Sequence, residues 1–455
     1  MNGAEDITVQ QRWLNFQAVC AVEAGAVAPE LVVARSYSPY DVIRRELRIP
    51  QMVQPPKILL SGLMGSGKST ELLKLARDLS DKFVVYMDID RVLTKVFGDA
   101  EAINRIESWE IAFLLGIQTF ANAQSSLGTE VVADDLLEDL EQAWKKATRT
   151  EDPAPLRLLP LAKALANGAS VLMAVSAAPV AATVMTVGTQ VAEAIATLGV
   201  KVGLKHGERL GAQSEEVTTM LRAVNRVFNV IATKHKQVVV ILDGLDRVQN
   251  DERIKTLFVE SDLMAKLDAA VVLCAPFAPH GHGGVAAIRG FRVHRLLCEP
   301  VVDPKTISPT IIANSTGINV LRNVYLTRAK SVGLNGGIPD SLLDRLALNS
   351  GGRLRDFVKL LNEIASEAYH ANVKVVDEDL VDRVLTAHRK NVEESLFKED
   401  YELLGKIMLD PLHELLDRDR AAGLLRDQKL MVYPNESEWF FPHPMLSRKL
   451  SQRQL

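Results

Sequence analysis

The sequence predicts an α/β protein: a parallel sheet flanked by helices, then a helical lid, then a small domain built around a β-hairpin. Three observations carry this. Short apolar strands alternate with amphipathic helical stretches through the first two thirds of the chain. A glycine-rich turn separates the first such strand from the helix after it. From about residue 308 the pattern turns helical, until two short aromatic strands flank a turn near the end.

A chain of 455 residues has room for two or three domains. Its 47% hydrophobic and 24% charged residues are those of ordinary globular protein, and exclude disordered, collagenous and coiled-coil classes. The net charge of -4, from 53 basic and 57 acidic residues, excludes a nucleic-acid-binding surface spread over the whole chain. Cys20, Cys274 and Cys298 are few, odd in number and far apart, so a disulfide scaffold is excluded and a reducing, cytoplasmic setting is expected. The opening residues are acidic and polar, so no secretory leader is expected.

Residues 1–55 read as a helical segment that ends at Pro55-Pro56. Residues 56–305 hold the sheet. Lys57–Ser61 is its first buried strand, the stretch from Ser69 is a helix, and Phe83–Met87 is the next strand. Helices are expected from about 101 to 148. Val238–Leu242 and Ala270–Cys274 are further buried strands, and a fifth is expected near 293–302. Residues 306–370 form the helical lid and 371–455 the end domain, whose strands are Leu430–Tyr433 and Trp439–Phe441.

Gly62-Leu63-Met64-Gly65-Ser66-Gly67-Lys68-Ser69 fits G-x-x-x-x-G-K-[ST] in full. Its glycines let successive backbone N–H groups point at phosphate oxygens, and the helix that follows adds the positive end of its dipole. Gly62, Gly65, Ser66, Gly67, Lys68, Ser69 and Thr70 are therefore the candidate nucleotide-binding residues. Lys68 reaches the outer phosphates and the Ser69 hydroxyl ligates Mg²⁺. Such a loop needs an acid at the end of a neighbouring buried strand to hold the metal. Asp243, directly after Val238–Leu242, is that acid. Asp246 is placed to polarise a water, and Arg247 is open as a charge partner of Asp246 or a phosphate sensor.

ILDGLDR, with glycine after the metal aspartate and a second acid two residues later, resembles the STAND branch of P-loop ATPases, including the NACHT group. It is also similar to the KAP group, whose strand ends in a related D-x-L-D-R. Both belong to the broad class of AAA+ ATPases. The resemblance covers about 57–302 in motif order. It implies ATP with Mg²⁺, Asp243 as metal ligand and Asp246 as the group orienting the attacking water. One departure is that the Ala270–Cys274 strand runs into Ala275-Pro276-Phe277 without the polar terminal residue that class carries.

Ser350-Gly351-Gly352-Arg353-Leu354-Arg355-Asp356 opens a helix with one buried face: Leu354, Phe357, Val358, Leu361, Ile364, Ala365 and Ala368. The G-G-x-x-R-D arrangement resembles the second sensor of AAA+ proteins of the origin-recognition type, with Arg355 the better match by position. The end domain looks like a winged helix, which in that class binds DNA and in STAND proteins packs as a hinge. Acids interleave its basic residues, and its wing, PNESE, is itself acidic, so the packing role is favoured.

An apolar insertion spans about 155–210, and residues 164–192 contain no charge. That stretch is long enough to cross a bilayer, although Pro179 divides it. Membrane spanning, conditional exposure and buried packing all stay open. His280 and His282 are read as a solvated loop rather than a metal site. The expectation as a whole is an ATP-hydrolysing regulatory switch, in signalling or defence, that assembles as a homo-oligomer and answers to a partner protein. The alternatives are a DNA-engaging ATPase and a membrane-associated KAP-like ATPase.

Overall fold

The computed structural model describes residues 8–21, 28–49, 54–128, 132–149, 158, 161–162, 202–203, 211, 214–234, 237–248, 250–277, 290–307, 310–434 and 438–453. The chain divides into two compact units. A sheet unit comprises Pro39–Gly62 and Lys68–Arg295; a helical unit comprises Met1–Ser38, Leu63–Gly67 and Leu296–Leu455.

The sheet unit is built on five parallel strands: β1 Lys57–Ser61, β2 Phe83–Asp88, β3 Val238–Asp243, β4 Ala270–Ala275 and β5 Arg292–Arg295. Their order is β2-β3-β4-β1-β5. β3 and β4 are buried at every position. This is why both read as unbroken apolar runs: a parallel sheet is covered on both faces. The register sets Asp88 beside Asp243 and Leu60 beside Cys274. The carboxyl ends of β1, β3 and β4 thus lie along one edge, where open α/β sheets bind ligands.

The longer helices described in this unit are α2 Tyr40–Arg48, α3 Lys68–Asp78, α4 Ser108–Leu127, α5 Asp135–Thr148 and α6 Glu215–Lys234. α4 opens with a capping box in which Glu110 accepts from the Glu107 N–H at 2.7 Å. The same carboxylate accepts from the Gly203 N–H at 2.9 Å. One apolar core joins the sheet to α4, α5 and α6, with Phe113 stacked on Trp144 at 4.3 Å between ring centres. Leu158, Leu161 and Ala162 before the uncharged insertion, and Val202 after it, are buried in this core. Residues 164–192, with His280 and His282, lie outside the described residues. Among the described residues no helix is long and apolar enough to cross a membrane.

The helical unit holds α1 Val9–Val19, α7 Ser315–Ser331, α8 Asp340–Asn349, α9 Leu354–Ala371, α10 Glu378–Glu393, α11 Lys398–Leu409, α12 Arg418–Arg426 and α13 Ser447–Arg453. The buried face of α9 is Phe357, Leu360, Leu361, Ile364, Ala365 and Ala368. α1 packs against it, buries Trp13 and Phe16, and is pinned by the Trp13 indole donating to the Val373 carbonyl at 2.8 Å. Strands β6 Leu430–Tyr433 and β7 Trp439–Pro442 pair antiparallel as the sequence indicates.

The fifth sheet strand is shorter than the sequence suggests. Pairing stops at Arg295, and beyond it backbone groups find other partners: Cys298 N–H donates to the Val432 carbonyl and Glu299 N–H to the Gly352 carbonyl. An apolar run does not reveal which chain satisfies its amides.

Candidate functional site

β1 delivers the chain into the loop through Gly62, and α3 starts at Lys68. Gly65 and Gly67 have φ of +85° and +100°, values side-chain-bearing residues rarely adopt. Space also demands glycine. A Cβ at 65 would lie 2.9 Å from side-chain atoms of Arg353 and Arg355, and one at 67 would lie 2.9 Å from Leu354.

Within the sheet unit, the Lys68 ammonium is buried and donates to the Gly62 carbonyl at 2.8 Å. It pairs with Asp246 Oδ2 at 2.8 Å. Burial pulls the Lys68 pKa down, but Asp246 and then Asp243 outweigh it, so the ammonium stays charged. Burial likewise opposes ionisation of Asp246; Lys68 overrides it and holds that carboxyl below its usual range.

Asp243 is fixed from two sides. Tyr86 Oη donates to its Oδ2 at 2.8 Å and the Gly244 N–H donates to its Oδ1 at 2.8 Å. Burial, followed by Asp243, lifts the pKa of Asp88, its neighbour on β2, to about 7. The Cys274 thiol is held protonated by burial and by the two nearby carboxylates, and hydrogen-bonds with them. Ligand atoms of Asp243, Asp246 and Cys274 all lie within 4.8 Å of one another. Arg247 pairs with Asp90.

Lys68, Asp243 and Asp246 are therefore brought together as the motif spacing implies. Ser69 and Thr70 occupy the first turn of α3 and are half-buried. Sequence reasoning missed Tyr86, Asp88 and Cys274. Asp88 closing an apolar strand was a usable signal; Tyr86 and Cys274 become recognisable only once the strand order is known.

Within the helical unit, three consecutive loop carbonyls are held. Arg353 donates to Met64 O through Nε at 3.1 Å and Nη2 at 2.7 Å. The Arg355 N–H donates to Gly65 O at 3.2 Å. Arg35 Nη1 donates to Ser66 O at 2.6 Å. Arg353 also meets Asp356 and Gln428, each at 2.6 Å, and Arg355 meets the loop through its main chain, Cβ and Cδ. The turn that supplies Arg353 needs its glycines: a Cβ at Gly352, φ +76°, would stand 1.9 Å from the Glu299 carbonyl.

The KAP family P-loop domain matches residues 45–275. No curated protein matches the chain. Among solved structures, a Drosophila ORC bound to DNA is similar at 10% identity and a TM-score of 0.39, over 100% of this chain and 94% of that one. The Aeropyrum pernix Orc1 protein in complex with DNA is similar at 12% identity and TM-score 0.36, over 91% and 92%. The Thermotoga maritima RuvB Holliday junction branch migration motor is similar at 14% identity and TM-score 0.25, over 49% and 79%.

Proposed function

Since the chain belongs to the KAP family of P-loop NTPases, we propose that it binds ATP with Mg²⁺ at the Gly62–Thr70 segment and hydrolyses it as a conformational switch. The observation carrying this reading is the convergence of the buried Lys68 ammonium with Asp243 and Asp246 at the carboxyl ends of the parallel strands β1 and β3, which flank β4.

The donor set fits Mg²⁺, a hard cation that prefers oxygen: the Ser69 hydroxyl and the Asp243 carboxylate would hold it. Bound there, the ion supplies neutralisation of phosphate charge. Asp243 is held ready by Tyr86 and Gly244 and needs no reorientation. Lys68 pairs with Asp246. Turning to the β- and γ-phosphates, it would release Asp246 to orient a water and draw on its proton. A second reading, DNA engagement by the end domain, is the weaker one. Lys449 is paired with Glu393, Arg420 with Asp400, and Lys429 is buried on the Asn391 and Val392 carbonyls, which leaves less positive charge for phosphate. We read that domain as a packed winged-helix hinge.

The test is nucleotide binding and phosphate release. Lys68→Ala is expected to weaken ATP binding at least about tenfold, while Asp246→Asn keeps binding and lowers turnover about a hundredfold or more. A wild-type protein that binds no nucleotide would falsify the proposal.

A further inference from the structure

The phosphate loop of this chain is held from behind by two arginines that lie outside the nucleotide motifs. Arg35 comes from an irregular stretch before α2. Its guanidinium is bound on three sides: by Glu299, by the Leu297 carbonyl at 2.9 Å, and by Ser66 O at 2.6 Å. Arg353 caps the start of α9 and gives two of its nitrogens to Met64 O. Both side chains are nearly sealed, at 6% and 2% exposure. A buried guanidinium is costly unless each of its donors has a partner, and here a loop carbonyl is one of those partners in both cases.

We infer that Arg35 and Arg353 are positioning residues that set the phosphate loop for nucleotide, an inference that rests on the ATP-binding reading above. In a trans peptide the C=O and N–H point in opposite directions. Holding the Met64 carbonyl therefore aims the Gly65 N–H away from Arg353, and holding the Ser66 carbonyl aims the Gly67 N–H away from Arg35. The intervening Ser66 N–H is occupied within the loop by the Leu63 carbonyl at 3.2 Å. The two outer amides are the ones the arginines orient, at residues whose positive φ leaves glycine's broad freedom to be restrained. The planar fork lets Arg35 hold a carboxylate and two carbonyls at once, which a lysine cannot do in the same geometry.

The experiment uses the full chain with Arg35→Ala, Arg35→Lys and Arg353→Ala. Hydrogen exchange of the 62–67 amides is measured without nucleotide, and binding of ATP and of ADP is measured separately. Expected are exchange at Ser66, whose N–H bond to the Leu63 carbonyl depends on the held loop, faster by about tenfold or more in the alanine variants, and affinity for both nucleotides lower by about tenfold, as for loss of one charge-assisted hydrogen bond. Arg35→Lys, or guanidinium added to Arg35→Ala, is expected to recover part of each. Lower thermal stability with unchanged loop exchange would reduce the arginines to general packing and overturn the inference. Should Arg353→Ala fail to fold, the two Arg35 variants decide by the same readouts. If the wild type binds neither nucleotide while loop exchange still responds to Arg35→Ala, the ATP reading falls and the loop-setting role stands.

Discussion

Gly244 carries a φ of +86°, and a Cβ there would lie 2.8 Å from Asp88 Oδ1 and 3.0 Å from the Asp90 amide nitrogen. Two effects therefore add at this position, a left-handed backbone and a collision with an acid on the neighbouring strand. We expect Gly244→Ala to destabilise the protein by about 2 kcal/mol or more, measured by urea unfolding; a change under a few tenths would contradict the geometry. The same crowding accounts for the missing second acid after Asp243, since there is no room for a side chain. Asp243 itself was legible because it terminates the run Val238–Leu242. Arg35 was not, because an irregular segment has no periodicity and its partners, Ser66 and Glu299, lie far along the chain.

At the level of elements, the hairpin of β6 and β7 was legible from its aromatic strands and turn, and the strands near Val238 and Ala270 from their apolar runs. The fifth strand was over-read because Leu296–Val302 is equally apolar but bonds elsewhere. The hairpin leads into His443, which is buried and accepts the Met445 N–H at Nδ1. Burial, then the neighbouring cations Arg353 and Lys429, push its pKa well below 6.5. His388 is lowered too, chiefly by burial. The folded state thus keeps both rings neutral where the unfolded chain would protonate them. Their stability contribution is complete above pH 6.5 and is lost as pH falls below it, at up to roughly 1.4 kcal/mol per pH unit for each ring. We expect urea stability to decline from pH 7 to 5, and His443→Asn, which keeps an acceptor for Met445, to lessen that slope. An identical slope in the variant would exclude His443 as a source.

For the whole molecule, motif order made the sheet legible, whereas the membership of Leu63–Gly67 in the helical unit was hidden. Loop sequence specifies glycines, not the donors that hold their carbonyls. If nucleotide drives assembly, the wild type should elute larger with ATP and Mg²⁺ and Lys68→Ala should not; one constant size for the wild type would remove oligomerisation from the switch. The family match ends at residue 275, yet β5, at Arg292–Arg295, hydrogen-bonds along β1. A fragment trimmed to that boundary would retain both nucleotide motifs and strip one margin of β1. Uncapped strand margins recruit neighbouring chains, so such a fragment is expected to self-associate through the very strand that launches the phosphate loop.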